Sequence, residues 1–170
     1  MGLTRLNNQA LTDVTSAGLP SGTIINTQVT KHTGSSNPNT QSWTAVGQTI
    51  SYTPKKSGSK LIVKHSLFTR AAGSGSECRF DWRIKRTVNS VETTTTTAMD
   101  LGHYEYDATG SWTKHNYEIL EEYTTVDTNA ISWKWEVADG VSSQGNGGVY
   151  FNEGTTGDLA SSITVMEIAG

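Results

Sequence analysis

The chain has 170 residues, of which 17 are Gly and only 3 are Pro, and its mean hydropathy is −0.44. This composition is typical of a turn-rich folded domain, which at this length can bury about 70% of its unfolded surface in one core. A formal net charge of −3 argues against nucleic acid and anionic lipid as partners. The sequence has no secretory signal pattern, no stretch of transmembrane length and a single cysteine, Cys78, so it predicts cytoplasmic synthesis and no membrane insertion.

Residues 1–20 predict an N-terminal extended arm, and residues 21–170 predict a single domain. Five apolar side chains stand among the polar residues of the arm: Leu3, Leu6, Leu11, Val14 and Leu19. They are too sparse for a core strand, and the segment is too short for a stable isolated helix. A frayed end is the commonest fate of a terminus. Because burying one such side chain yields about 1.5–3 kcal/mol, we instead expect the arm to dock on a neighbouring chain.

Period-two alternation of apolar and polar residues recurs through the rest of the chain, as in half-buried strands. In chain order, about nine strands are predicted, for "GTIINTQVTKH", "QTISYT", "KLIVKHSLF", "ECRFDWRIKR", "HYEYD", "NYEILEEYTT", "AISWKWEV", "GGVYF" and "SITVMEI". The run "ETTTTTAMD" is either an exposed strand or a loop, and threonine favours the strand. Both faces of "KLIVKHSLF" carry apolar side chains, which indicates a central strand that is covered on both sides.

The clearest alternation predicts the core and the fold class. One face of "ECRFDWRIKR" and "AISWKWEV" is apolar, and we expect these residues to be buried: Cys78, Phe80, Trp82, Ile84, Ile131 and Val137. The intervening segments, such as "TPKKSGSK" and "ADGVSSQGNGG", supply Gly, Asn and Asp where the backbone must reverse. The sequence therefore predicts an all-β, antiparallel β-sandwich that is jelly-roll-like, although a Greek-key sandwich of another order fits the same pattern.

No motif in the sequence carries catalytic chemistry. "GSGSE" lacks the strand-to-helix context of a nucleophile elbow, and "SGSKL" lacks the upstream glycine and the final hydroxyl of a phosphate-binding loop. Glu118, Glu121 and Glu122 could supply the paired carboxylates of a glycosidase. Glu118 and Glu122 share one face of a strand, however, where they more often pair with Lys or Arg across the sheet. We therefore predict a non-enzymatic protein.

The best candidate for a metal site is "HYEYD", because alternation would place His103, Glu105 and Asp107 on one face. Alternate residues lie nearly 7 Å apart along a regular strand, so a solvated polar face is the better interpretation. The other histidines have no companion at ligand spacing: His32, His65 and His115. The sequence predicts no metal and no cofactor.

The tryptophans divide into two groups. Trp133 and Trp135 could form a platform for sugar rings, but Ile131 shares their face, which indicates a core or a subunit interface. Trp43 and Trp112 lie beside loops rich in Gly, Ser or Asn. They are the better candidates for exposed aromatics that face a ligand such as a glycan.

Three segments of the chain resemble segments of tailed-bacteriophage virion proteins, often marine or cyanobacterial: "LTRLNNQALTDVTSAGLPSGTII", "YTPKKSGSKLIV" and "SSITVMEIAG". The shared pattern is L-P-x-G-[ST], then T-P-x-x-x-x-S-K-[IL]-[IL]-V, then S-x-I-T-[VL]-M-E. It extends over nearly the whole chain, and the middle is the least similar part. These are patterns of strands and turns, so the resemblance implies a structural role in oligomers of β-sandwich subunits, in tail fibres or in head-decorating proteins.

One domain with a short arm favours a capsid-decorating or cement protein over a long tail fibre. The resemblance further implies a homotrimer in the virion, whose partners are its own copies and other virion proteins such as the major capsid protein. Met166 or Ile168 of the last predicted strand is expected to lie against a neighbour. The alternative is a tail-fibre or tail-appendage module that binds a host-surface carbohydrate.

Overall fold

The computed structural model describes residues 18–32, 42–71, 77–104, 113–139, 149–151 and 160–170. These residues form nine β-strands and no α-helix. The strands are β1 (Ile24–Lys31), β2 (Thr44–Tyr52), β3 (Lys60–Ala71), β4 (Glu77–Val88), β5 (Val91–Tyr104), β6 (Thr113–Thr124), β7 (Ile131–Asp139), β8 (Val149–Phe151) and β9 (Ser162–Ile168). The all-β prediction is confirmed, and the threonine-rich run belongs to strand β5.

The strands form two antiparallel sheets that face each other. The five-stranded sheet has the order β1-β9-β3-β6, and β8 pairs with the part of β3 that lies beyond β9. The four-stranded sheet has the order β2-β7-β4-β5. The predicted antiparallel β-sandwich is therefore confirmed.

Strand pairing follows a simple rule along the chain. β4 and β5 are joined by a two-residue turn at Asn89 and Ser90, whose φ angles of 49° and 66° suit a type I′ hairpin. Outward from this turn, β3 pairs with β6, β2 with β7 and β1 with β9, as in one long hairpin. The further pairs β3–β9 and β4–β7 complete the two sheets. The hydrophobic last strand thus lies between β1 and β3, inside its sheet.

The core lies between the sheets and is rich in aromatic side chains. Trp82 and Trp133 of the four-stranded sheet are fully buried. Phe80 makes edge-to-face contacts with Tyr117 and Phe151 of the opposite sheet, at ring-centroid distances of 5.4 and 5.1 Å. Contacts of this kind join the two sheets into one hydrophobic core.

Burial confirms most of the predicted core. The confirmed residues are Phe80, Trp82, Ile84, Ile131 and Val137. The backbone of Cys78 belongs to β4, but its side chain lies outside the described set. Trp133 and Trp135 are both buried, so they are core residues and not a platform for sugars.

The prediction that β3 is covered on both faces is wrong for most of the strand. Leu61 and Val63 face the core and are fully buried. Lys64 on the other face is exposed, and Ile62 is only half-buried. Phe68, near the end of the strand, is buried. The outer face of β3 is therefore open at Lys64 and covered at Phe68.

Strand β2 begins at Thr44, four residues before the predicted "QTISYT". Its register against β7 shifts between Val46 and Ile50, which is a β-bulge. Gly47 provides the positive φ of 80° at this point, and a Cβ there would lie 3.0 Å from Nδ1 of His32. Val46, Ile50 and Tyr52 keep the same parity and are buried on both sides of the bulge. Gln48 stands where this alternation calls for an apolar residue, which is why the sequence indicated only the second half of the strand.

Candidate functional site

Glu167 of β9 is a fully buried carboxylate next to the segment that joins β2 to β3. Its Oε1 accepts hydrogen bonds from the backbone N–H of Lys56 at 3.0 Å and from the Ser59 hydroxyl at 2.6 Å. Its Oε2 accepts one from the Tyr52 hydroxyl at 2.6 Å, and the backbone N–H of Lys55 lies 3.0 and 2.9 Å from the two oxygens. Two backbone amides and two hydroxyls thus replace the water that the carboxylate loses on burial.

The surroundings of Glu167 hold its charge in place. Burial alone would raise its pKa, but the hydrogen bonds from Ser59, Tyr52 and the two backbone amides outweigh burial and lower the pKa below its ordinary value. Burial and the bond to Glu167 raise the pKa of the Tyr52 phenol far above its ordinary value. The carboxylate therefore stays ionised and the phenol stays a donor, which suits a permanent structural contact and not proton transfer.

Thr125, which follows β6, ties the same segment to the five-stranded sheet. Its backbone N–H donates to the carbonyl of Ser59 at 2.9 Å, and its own carbonyl accepts from the N–H of Gly58 at 2.9 Å. Its hydroxyl donates to the carbonyl of Lys56 at 3.1 Å. Thr125 and Ser59 are both buried. The segment between β2 and β3 is therefore fixed both to β9 and to the end of β6.

Ser161, just before β9, is a second buried hydroxyl. It accepts a hydrogen bond from the backbone N–H of Phe68 at 2.9 Å, while its carbonyl accepts from the N–H of His32 at 2.8 Å. Ser59, Ser161 and Glu167 are all polar positions of the phage-like pattern in the sequence. All three are buried and hydrogen-bonded to the backbone or the turns of the sandwich.

A second buried carboxylate, Glu121 of β6, lies between the two sheets. It forms an ion pair with Arg86 of β4 and accepts a hydrogen bond from the Thr95 hydroxyl of β5 at 3.1 Å. Nε2 of His65 lies 3.6 Å from its Oε2, and Trp135 donates its indole N–H to Nδ1 of His65 at 3.0 Å. Because an indole nitrogen can only donate, the ring proton of His65 sits on Nε2 and faces Glu121.

This cluster connects the two sheets, and its histidine has no contact with solvent. Burial would raise the pKa of Glu121, but the nearby His65 ring and the charge of Arg86 lower it below its ordinary value. The guanidinium of Arg86 also stacks on Tyr123, 4.1 Å from the ring centroid. His65 is fully buried, so it is a core histidine. A side chain with no contact to solvent cannot serve as a general base for an external substrate.

The period-two pattern contains a signal for these residues that the sequence analysis did not use. Glu121, His65 and Glu167 each stand at an inward-facing position, in a row with apolar neighbours on the same strand. A polar residue at such a position must find a partner inside the protein, because burying it without one is costly. The pattern indicates that a partner exists, but it does not say which residue it is.

Met166 and Ile168, the predicted interface residues of β9, are half-buried on the outer face of the five-stranded sheet. The register places Ile168 beside Ile24 of β1, and Met166 beside Ile62 of β3. Two further apolar side chains lie one row away. We call this set the outer apolar patch: Ile24, Val29, Ile62, Leu120, Met166 and Ile168.

Ion pairs flank the patch on the same face. Lys60 pairs with Glu122 and Lys64 with Glu118, each at 2.6 Å. These contacts confirm that Glu118 and Glu122 are cross-strand partners of lysine.

The predicted arm reaches the described residues only at its end. Leu19 is half-buried, while Leu3, Leu6, Leu11 and Val14 lie outside the described residues. The chain then turns at residues 20–23, where the N–H of Thr23 donates to the carbonyl of Pro20 at 3.1 Å and Gly22 has a φ of 87°. These features are those of a type II turn, which leads the arm into β1.

Of the two tryptophans predicted to face a ligand, Trp43 lies within the described residues and Trp112 does not. Trp43 is half-buried, and the guanidinium of Arg83 lies over its ring at 4.3 Å from the centroid. Arg83 is held there by a hydrogen bond from its Nε to Glu136 at 2.6 Å, so this face of the ring is covered. Trp112 lies outside the described residues. A role for either in binding glycans stays a prediction.

Within the described ranges, no three His, Cys, Asp or Glu side chains are grouped as a metal site would require. The backbone of His103 belongs to β5, whereas Glu105 and Asp107 fall outside those ranges. No helix in the same ranges is long and apolar enough to span a membrane.

No protein-family model and no curated protein matches the chain. Among solved structures, it is similar to that of infectious bursal disease virus Gt strain, with a TM-score of 0.39 and 12% identity over 86% of this chain and 37% of the other. For the Gx strain the TM-score is 0.32, with 12% identity over 84% of this chain and 36% of the other. The chain thus spans little more than a third of the viral chains that it matches. Similarity at this level establishes neither a family nor a function.

Proposed function

We propose that the chain is a non-enzymatic structural protein of a tailed-bacteriophage virion, specifically a capsid-decorating or cement protein. The observation that carries this proposal is the place of the polar residues in the phage-like pattern. Ser59, Ser161 and Glu167 are all buried and hydrogen-bonded within the sandwich. Polar residues that serve catalysis or ligand binding would converge on a cleft instead.

The strand pairing supports the jelly-roll part of this proposal. A jelly roll can be built by winding one long antiparallel hairpin so that its strands alternate between two sheets. The pairs β1–β9, β2–β7, β3–β6 and β4–β5 are those of such a hairpin. Viral capsid proteins commonly use this architecture, and lectins and enzymes use it too, so the fold is compatible with a virion role without requiring it.

In this proposal, the N-terminal arm attaches the protein to the capsid or to an adjacent subunit. Its apolar side chains Leu3, Leu6, Leu11 and Val14 would grip the capsid or an adjacent subunit, where each one that is buried contributes about 1.5–3 kcal/mol. Assembly as a homotrimer is part of the proposal and rests on the resemblance. The alternative function, a tail appendage that binds a host glycan, has no described residue in its favour, since one face of Trp43 is covered by Arg83.

The test is to find the chain on the particle. We expect electron cryo-microscopy of virions made with the full chain to show density for it on the capsid surface. A variant that lacks residues 1–17 should remain folded, with little change in melting temperature, but should be missing from the particles. Density on the tail would favour the alternative, and absence of the full chain from purified virions would contradict a virion role.

A further inference from the structure

The outer apolar patch is the most exposed hydrophobic surface on the five-stranded sheet. Three of its side chains are more than half exposed: Ile24 at 56%, Val29 at 58% and Leu120 at 64%. The half-buried Ile62, Met166 and Ile168 lie in the same or adjacent rows of the sheet, and exposed apolar patches on a protein surface are often interaction sites.

The size of the patch limits what can cover it. A stable interface between two globular surfaces needs about 20–30 residues from each partner, whereas the patch as defined above has only six side chains. A narrow segment with spaced apolar side chains fits better, since each one that is buried contributes about 1.5–3 kcal/mol. The occupant should therefore be a peptide-like segment and not the flat face of another sheet.

The chain itself contains one such segment. Residues 1–17 hold Leu3, Leu6, Leu11 and Val14. The internal segments outside the described residues, 33–41, 72–76, 105–112, 140–148 and 152–159, contain only Val141 and Leu159 among Leu, Ile, Val and Met. Residues 1–17 are thus the part of the chain best suited to an apolar surface.

The point of attachment and the reach of the segment fit this role. Residues 1–17 join the sandwich at the end of the sheet where Ile24 and Ile168 stand, because Gly22 and Thr23 are hydrogen-bonded to Ala169 at 2.8 Å. The face is about 20 Å long along β9, whereas a fully extended segment of this length reaches about 55 Å. Such a segment can leave its own subunit and cross the face of another.

We propose that the outer apolar patch receives residues 1–17 of a neighbouring copy of the chain. The inference rests on the proposed function in one respect, since it takes copies of the chain to be adjacent. It also names the partner of Met166 and Ile168, namely the leucines of another subunit's arm. Each copy would then give one arm and receive one, and the copies form a closed, symmetric oligomer when the rotation from each copy to the next closes a ring.

The first experiment measures molecular mass by light scattering over a range of protein concentrations. We expect the full chain to form an oligomer, and both the deletion of residues 1–17 and the patch variant Val29→Thr/Leu120→Gln to weaken association at least tenfold. The matched control is Val91→Thr, because Val91 is 64% exposed on the other sheet, and it should associate as the full chain does. An oligomer that survives the deletion would overturn the proposal.

The second experiment uses the methionines, of which the chain has 3: Met1, Met99 and Met166. With ¹³C-labelled methyl groups, the signal of Met166 reports on the patch, and a Met166→Leu variant assigns it. We expect this signal to shift when residues 1–17 are deleted and to return when a synthetic peptide of residues 1–17 is added. No shift, or a shift that is independent of protein concentration in a monomeric chain, would overturn docking between copies.

These results separate the inference from the proposed function. A chain that exchanges arms in solution but is missing from virions would contradict the proposed function and support the inference. A chain that decorates capsids but stays monomeric at all concentrations would support the proposed function and contradict the inference.

Discussion

The two buried carboxylates of the sandwich are held by different kinds of partner. Glu167 is bound by backbone N–H groups and hydroxyls at one corner, whereas Glu121 is bound by side chains of both sheets, including the cation of Arg86. Backbone amides cannot be replaced by mutation, but the partners of Glu121 can be changed together with it. At Glu167, the buried charge therefore fixes a chain segment. At Glu121, the buried charge joins two sheets that could be joined without charge.

The largest effect is expected from Glu167→Ala. The substitution leaves two backbone N–H groups and the Tyr52 hydroxyl without their acceptor in a buried site, so it should cost about 3–5 kcal/mol of unfolding free energy. Urea denaturation measures this, with Glu118→Ala on the solvent-facing side of the sheet as the control, which should cost less than about 1 kcal/mol. If the two variants were equally stable, the segment between β2 and β3 would not depend on the carboxylate.

The next effect tests whether Glu121 can be dispensed with. Glu121→Leu alone should cost about 2–4 kcal/mol, because it leaves the charge of Arg86 unpaired in a partly buried position. Adding Arg86→Met should restore at least half of that loss, because a well-packed apolar pair can replace a buried ion pair. A double-mutant cycle of unfolding free energies checks this. Strictly additive losses would show that the two charges are not coupled.

Acid should reduce the stability that the two buried carboxylates, Glu121 and Glu167, contribute to the fold. The pKa values of Glu121 and Glu167 are lower in the folded protein than their ordinary value of 4.5. The stability that these groups contribute is therefore complete above that value and is lost as the pH falls through the lowered folded-state pKa values. We expect the melting temperature to be flat from pH 7 to about 5 and to fall below about 4.5, and Glu121→Leu/Arg86→Met to fall less steeply. An equal slope for that variant would remove Glu121 as a source of the acid sensitivity.

The sequence predicts the strands better than it predicts these sites. Alternation in "AISWKWEV" is local, so it is visible in the sequence and the burial of Trp133 confirms it. The contact of Tyr52 with Glu167 joins residues 115 positions apart, and no local pattern encodes such a pairing. Local patterns cannot predict the order of the strands for the same reason, because the pairing of β1 with the last strand is a property of the whole fold. Gln48 hides the first half of β2, because a polar residue interrupts the row of apolar side chains that Val46, Ile50 and Tyr52 form.

The smallest effects lie on the outer faces, where distance alone would suggest equal strength. The Lys64–Glu118 pair at 2.6 Å is as short as the contact between Arg83 and Glu136, but its two side chains are 48% exposed, while Glu136 is 12% exposed. Solvent screens the first pair, so its coupling energy should be below about 0.5 kcal/mol and should vanish in about 1 M salt, where the screening length is about 3 Å. The Arg83–Glu136 pair is shielded and stacked on Trp43, so it should keep about 1 kcal/mol under the same conditions. Double-mutant cycles at low and high salt measure both values. If the two pairs lost the same coupling energy in salt, burial would not be what sets the strength of an ion pair on the outer faces of the sandwich.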